Sequence, residues 1–411
     1  MKRRHFLLGA VGAGAAAVAG AFAARPKDEG APYDAYFRAL NDELRRNGPM
    51  KPSLVVDLDR LDRNIAAVVS SVQPRKHFRV VEKSLPCLGL LDYVQKRAGT
   101  NRLMSFHQPF LSLDAERLPK SDILLGKPMP ARAAERFYRG LKGRFDPARQ
   151  LQWLVDTPER LSQYRELAAG LGTRLRVNVE IDVGLHRGGV RDEAALEAML
   201  SQIAASPDRL EFSGFMGYDP HVVKIPAALA SQSQLFANVM SAYRRCVEHL
   251  RTHHAPLWRE DLTLNTAGSP TYKLHEAEDL SNDISVGSAL VKPADFDVPT
   301  LAHHEPACFI ATPVLKASEE LRLAGLEDKS RWLSQWDVNQ RRTFFIYGGH
   351  WMARYESPRG LRPNALFGHS SNQEMANGSP AVGLGVDDHV FLRPSQSEAL
   401  FLQFGDVLTV R

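Results

Sequence analysis

The chain has 411 residues, of which 44% are hydrophobic and 24% charged, values ordinary for a globular protein and too many residues for one ordinary domain. Its formal charge of +5 does not mark a nucleic-acid binder: Lys2, Arg3 and Arg4 supply three of those charges, and no basic stripe interleaved with aromatic residues follows. The three cysteines, Cys87, Cys246 and Cys308, have no CxxC spacing and point to neither a disulfide framework nor a zinc ribbon; all three are expected to be buried.

The first residues read as a targeting segment. Lys2-Arg3-Arg4-His5-Phe6-Leu7-Leu8 leads into an apolar run from Gly9 to Ala21, and Ala21-Phe22-Ala23 offers a small-residue cleavage site, so residues 1–23 are expected to be removed. The arginine pair before Phe-Leu resembles the twin-arginine export signal, which implies a periplasmic or otherwise exported protein. The apolar run is shorter than the roughly 20 residues that span a bilayer, so no stable membrane anchor is expected after processing.

A leading helix is expected over residues 34–44, before Pro49 and Pro52 break the chain. From Pro52 to Leu290 short β-branched runs alternate with longer amphipathic stretches, the pattern of βα units. Strands are predicted at 54–57, 78–83, 103–106, 123–126, 153–155, 174–181, 212–216, 262–267 and 283–286, eight or nine in number where a barrel closes with eight. Helices are predicted at 60–72, 90–98, 131–141, 158–171, 193–205 and 234–254. An open doubly wound sheet is the alternative, weakened because no GxGxxG follows a strand. After Pro293 the texture changes to strand runs at 309–315, 343–347, 389–392, 399–404 and 407–410, with a long loop rich in Gly, Pro, Ser and Asn over 354–378. The division expected is a barrel with its leading helix over 24–297 and an all-β domain over 298–411.

The densest chemistry lies in Val177-Asn178-Val179-Glu180-Ile181-Asp182-Val183-Gly184-Leu185-His186-Arg187-Gly188-Gly189-Val190, a strand that runs into a glycine-punctuated loop. This stretch resembles the VDTGLHRxG signature of the pyridoxal phosphate (PLP) enzymes built on the alanine racemase barrel (fold type III), most closely the D-threonine aldolase and D-serine dehydratase branch. The resemblance implies an α/β fold, a PLP-binding (β/α)8 TIM barrel followed by a C-terminal all-β domain. It also implies a homodimer in which the C-terminal domain of one subunit closes over the barrel mouth of the other, excluding water.

Further segments resemble the same family. Phe78-Arg79-Val80-Val81-Glu82-Lys83-Ser84 is similar to its second strand, whose terminal lysine forms the Schiff base with PLP; that assigns the role to Lys83. Only a deprotonated amine can do this, and burial at a strand end beside other cations favours that form. The family writes R-P-H-x-K-T-H here; Arg79 and Lys83 match, while Val80, Val81 and Leu85 replace the rest. Asn265-Thr266-Ala267-Gly268-Ser269-Pro270-Thr271 resembles the GGSPT turn, which implies that Gly268 and Ser269 bind phosphate. Asp283-Ile284-Ser285-Val286-Gly287-Ser288 resembles the second phosphate segment, with Gly287 and Ser288 as contacts and Ala289 where members often carry Tyr. By the same resemblance Arg187 sits near the cofactor's phenolic oxygen. In Phe212-Ser213-Gly214-Phe215-Met216-Gly217-Tyr218-Asp219-Pro220-His221, similar to the family's G-x-x-GY-x-GH, Tyr218 touches the cofactor and His221 is the candidate base for a substrate hydroxyl.

The largest departure is near the C-terminus. The branch places metal ligands in P-S-H-x-C or P-S-H-x-D, where this chain reads Pro394-Ser395-Gln396-Ser397-Glu398. Gln396 and Glu398 suit a weakly held Mg²⁺ or Mn²⁺ better than zinc, so no tightly bound zinc is expected in the protein. Adjacent His303 and His304, read as strand residues, point to opposite faces and are not expected to act together. The function implied is a lyase that cleaves a D-β-hydroxy-α-amino acid, such as D-threonine, to glycine and an aldehyde. An amino-acid racemase, with Tyr347 or Tyr355 as second base, a D-serine dehydratase-like enzyme, and a non-catalytic exported binder of PLP or amino acids are the alternatives.

Overall fold

The structure, a computed structural model, describes residues 25–411; the leader expected over residues 1–23 lies outside them. Two compact units emerge, one of Val56–Ala307 with Gln396–Gly405 and Thr409–Arg411, the other of the described residues up to Val55 with Cys308–Ser395 and Asp406–Leu408. Two segments therefore depart from the expected division. The leading helix Ala35–Asn47 groups with the second unit, and Gln396–Gly405 groups with the barrel.

Of the nine predicted strands, the first, β1 (Ser53–Asp57), pairs with β10 (Cys308–Ser318) and not with the barrel. All five of its residues are buried, so its apolar run reads like that of a barrel strand. The other eight are β2 (His77–Val81), β3 (Arg102–Ser105), β4 (Asp122–Leu125), β5 (Leu151–Val155), β6 (Leu175–Ile181), β7 (Leu210–Gly217), β8 (Thr263–Thr266) and β9 (Asp283–Val286). They pair in parallel in chain order, and β9 returns to β2 to close the barrel. One extra residue in β7 makes a bulge: Val177 faces Phe212 while Asn178 faces Gly214, whose φ of 137° and close approach to Thr263 leave no room for a side chain.

The outer helices form where their signals stand. Helix Pro158–Leu171 begins at Thr157, whose side chain accepts from the Arg160 amide, has proline in its first turn, and ends on Gly172 at φ 65°. Helix Gln108–Arg117 carries no usual start signal, because its cap is an imidazole: His107 accepts from the Phe110 amide, a residue type outside the usual cap set.

The amino-terminal end of the barrel is plugged by a charge cluster. Arg79, fully buried, donates to Asp283 Oδ1 at 2.8 Å and Asp122 Oδ1 at 2.8 Å, and Arg102 adds a contact of 2.9 Å to Asp283. Removing one partner of such a set strands buried charge, so Arg79→Leu should cost about 3–5 kcal/mol, read as a lowered denaturant midpoint.

In the second unit an antiparallel sheet runs in the order β12 (Ala353–Ser357), β15 (His389–Pro394), β10, β11 (Arg342–Tyr347), β14 (Gln373–Gly378), β13 (Arg362–Pro363), with β16 (Val407–Val410) pairing with β1. Two expectations fail here. The region 354–378, read as loop from its polar, glycine-rich composition, contains three strands; Asn377 of β14 is buried with its amide donating to Thr343 Oγ1 at 3.1 Å, so pairing supplies what composition lacks. The segment expected as a strand over 399–404 is a short helix, Ser397–Phe401, whose buried residues Ser397, Leu400 and Phe401 follow a helical spacing. A short contiguous apolar run does not distinguish the two.

Only Cys308 is buried; Cys87 and Cys246 are partly exposed. No helix among the described residues is long and apolar enough to cross a membrane.

Candidate active site

The carboxyl ends of the barrel strands surround a cavity of about 760 Å³, lined among others by Lys83, Arg187, Tyr218, Gly268, Ser269, Gly287 and Ser288. Seven of the eight residues assigned from sequence to catalysis or cofactor binding thus meet in one place. His221 does not line the cavity; it opens a short helix and lies against Gly184 of the Arg187 loop, where a Cβ on that glycine would come within 3.2 Å of its ring. The chain turns away at Asp219-Pro220 before reaching it.

Lys83 sits in a 3-10 turn, Glu82–Ser84, directly after β2. Its setting differs from the buried, cation-flanked one expected: Nζ is 3.0 Å from Glu398 Oε2, with the Lys83 side chain 45% exposed. The short helix Ser397–Phe401 brings that carboxylate there. Behind the lysine, Glu82 is buried beside Asp114, and Ser105 donates to both at 2.6 and 3.1 Å. Burial, with the second carboxylate alongside, pushes Glu82 well above the ordinary carboxylate range, so the pair holds a proton and the turn is anchored without a buried net charge of two.

The Arg187 loop is built by Asp182. Its Oδ1 accepts from the amides of Gly184 and His186 at 3.0 and 2.9 Å, its Oδ2 meets His186 Nδ1 at 2.9 Å, and Val190 donates its amide back to the Glu180 carbonyl. Gly184 and Gly189 take φ of 109° and 92°. Of the charged residues in that loop, Asp182 and His186 hold the backbone while Arg187 faces the cavity, its guanidinium 4.9 Å from the Tyr218 ring centroid.

The phosphate-side segments interlock. Ser269 Oγ accepts from the amides of Gly287 and Ala289 at 3.1 and 2.9 Å, and Ser84 Oγ lies 3.0 Å from Ser288 Oγ. Beneath the Gly268 turn, Thr271 Oγ1 accepts from the Gly268 amide at 3.1 Å and donates to Asp219 at 2.6 Å, and Asp219 also meets His275 at 2.8 Å.

Several cavity residues have no role in a motif. Phe106 and His107 follow β3, Lys127 follows β4 and Asp156 follows β5, and their only signal is position just past a strand's carboxyl end. Glu180, near the end of β6, lies inside the Val177 to Val190 stretch, whose resemblance assigns it no role. Glu180 is the most consequential: burial raises its carboxyl to about 7, Arg187 pulling down while Asp156 and Asp182 push up.

The metal pair expected from sequence does not assemble. The Gln396 amide donates to Asp295 at 3.1 Å, whereas Glu398 pairs with Lys83. His303 and His304, expected to diverge, converge: they lie in a turn rather than a strand, and both rings meet the Tyr272 hydroxyl, at 2.8 and 2.7 Å.

The fold resembles several solved structures. D-Threonine aldolase from Filomicrobium marinum superposes with a TM-score of 0.69 at 16% identity, covering 88% of this chain and 91% of that one. D-threo-3-hydroxyaspartate dehydratase from Delftia sp. HT23 gives 0.64 at 17% identity, over 87% and 94%. Alanine racemase of Clostridium difficile 630 in complex with cycloserine gives 0.64 at 12% identity, over 87% and 91%. No curated protein matches the chain in sequence. The alanine racemase N-terminal domain model matches residues 56–294, the span that builds the barrel and its mouth, and the chain therefore belongs to that family of PLP-dependent, fold type III enzymes.

Proposed function

We propose that the chain is a PLP-dependent lyase that cleaves a D-β-hydroxy-α-amino acid into glycine and an aldehyde. The observation that carries this reading is the meeting of Lys83, Arg187 and Glu180 on one cavity, where burial pushes the Glu180 carboxyl up to about 7.

The residues fit PLP. Ser269 Oγ accepts two amides, which leaves its own proton to donate to an anion. The Ser84 and Ser288 hydroxyls together have two protons and share one contact, so one proton remains for the same anion. A Cβ on Gly268 would lie 2.5 Å from the Tyr218 ring, and one on Gly287 2.7 Å from Ser84 Oγ, so both backbones already pack as closely as glycine permits. Gly287→Ala should displace the Lys83 turn and weaken PLP binding about tenfold, within an overpacking cost of ~1–3 kcal/mol, measured by absorbance titration of the apoprotein.

Bound in this cavity, PLP supplies the electron sink that stabilises negative charge at the substrate's α-carbon. The Lys83 amine provides the attachment point, and Glu398 holds its charged form in place at the mouth. Arg187 presents a fixed positive charge, stacked on Tyr218. Glu180, as carboxylate, takes the proton from the β-hydroxyl while the Cα–Cβ bond breaks, the hydroxyl carbon leaves as aldehyde, and the Lys83 amine returns a proton to the α-carbon to complete glycine. Glu180 replaces His221 as candidate base because it lines the cavity. With Gln396 and Glu398 turned to separate partners, this proton transfer needs no metal at that place, and added Mg²⁺ or Mn²⁺ should leave kcat unchanged.

A racemase needs a second base. Tyr355 is a poor one: its hydroxyl donates to Glu374 at 2.7 Å, and burial together with that carboxylate drives its pKa far above 10. Product analysis of the PLP-loaded protein against D- and L-amino acids separates the readings: aldehyde and glycine from a D-β-hydroxy substrate support the lyase, a racemised product without cleavage overturns it.

The assembly proposed is a homodimer. Met352, Leu366 and Phe367 support it, each more than half exposed and apolar, as is usual for side chains covered by a partner; light scattering on an active sample checks it. Export through the twin-arginine route rests on Arg3 and Arg4, and replacing both with lysine should retain the protein in the cytoplasm.

A further inference from the structure

Away from the barrel mouth, two outer helices bring three metal-ligating side chains to one point. Glu193, Glu197 and Ser201 stand one turn apart on helix Glu193–Ala204, and His249 lies near the end of helix Gln232–His253. His254 caps that second helix with non-helical φ and ψ of −127° and 41°, which turns its ring back beside His249. His249 Nε2 and His254 Nε2 approach the same atom, Glu197 Oε2, at 2.8 and 2.9 Å.

The set is more than a chance contact of charges. Both imidazoles are nearly buried, with side chains 8% and 10% exposed, while Glu197 at 45% leaves one side open to water. Ser201 donates to Glu197 Oε1 at 2.6 Å, which fixes the carboxylate with Oε2 toward the rings. The other nitrogen of His249, Nδ1, is 3.3 Å from Glu193 Oε1. A neutral imidazole has one N–H. If it donates to Glu193, Nε2 aims a bare lone pair at the lone pairs of Glu197, an arrangement that a cation resolves. A carboxylate on the far nitrogen of a ligating histidine is the usual outer support of such a site. Glu193 and His249 also line a second cavity of about 480 Å³.

We propose that Glu197, His249 and His254 bind a zinc ion, with water completing four-coordination and Glu193 orienting His249. Two imidazoles and one carboxylate are a borderline donor set that favours zinc over Mg²⁺ or Ca²⁺. The ion ties together the two outer helices, the first of which follows the Arg187 loop, and residues Asp182 and Val190 of that loop line the same cavity. The site shares no residue with the barrel-mouth cavity, and it is separate from Gln396 and Glu398.

The test uses tag-free full chain, stripped with chelator and then titrated with Zn²⁺. One equivalent should bind, Co²⁺ should give the visible absorption of a four-coordinate site, and a hundredfold excess of Zn²⁺ over Kd should raise Tm by roughly 5 °C. His254→Ala and Glu197→Gln should each raise Kd about tenfold or more. Glu197→Gln keeps an oxygen acceptor at the same position, so its metal-free Tm should match that of the parent. Glu398→Ala should bind zinc as the parent does. Absence of one-equivalent binding, binding retained in both variants, or loss of zinc in Glu398→Ala would overturn the proposal.

Discussion

Borohydride reduction of the PLP-loaded protein should fix the cofactor on Lys83, found by peptide mapping as a single labelled lysine. Lys83 is the one lysine placed directly after β2 at the cavity, and its neighbours there, Glu398 and the Phe106 ring at 5.4 Å from Nζ, orient it without covering it. Lys127 also lines the cavity, from the end of β4, and is the alternative that the mapping must distinguish. Lys83→Ala should lower kcat by at least ~10⁴-fold, since both attachment and a proton-transfer group are lost. Lys83→Arg keeps the charge facing Glu398 but cannot form the imine bond, and should be as inactive while retaining the parent's Tm. Label on Lys127, or activity surviving in Lys83→Arg, would remove the assignment.

Glu180→Gln should lower kcat by about 10²–10⁴-fold, the range of a positioned acid–base group. The pH profile makes the test specific. Burial raises the Glu180 carboxyl to about 7, so the basic form grows as pH passes upward through 7. Activity of the parent should rise across that interval and fall about tenfold per pH unit below it; in Glu180→Gln the rise should be absent. Stability should move the opposite way. A carboxyl with a raised folded pKa favours the folded state most below its unfolded pKa, and that contribution is lost as pH rises through about 7, so the parent should lose stability across that window and Glu180→Gln should not. A residue that only packs would leave the profile unchanged.

How far the site was legible depends on how each residue announces itself. Lys83, Arg187, Ser269 and Gly287 stand in segments whose order of apolar run, glycine and polar group survives in one dimension, and the barrel brings them to one mouth. Glu180 sits in the same stretch as Arg187 but has no legible role there, because its meaning depends on burial and on Asp156, which comes from another strand end. His221 shows the converse: a histidine after Gly217-Tyr218 matches a pattern, but the turn at Asp219-Pro220 sets it against Gly184.

The βα alternation, the strand ends that carry chemistry, and helix limits such as those of Pro158–Leu171 are legible in one dimension, because periodicity, caps and glycine stops act over a few neighbouring residues. Long-range packing sets the rest: β1 leaves the barrel for β10, residues 354–378 pair into strands, Glu398 turns to Lys83, and His249 and His254 meet Glu197. Each of those outcomes is a contact between residues far apart in the chain, where burial and pairing energy outweigh local preference, and no local pattern records which distant partner will be there.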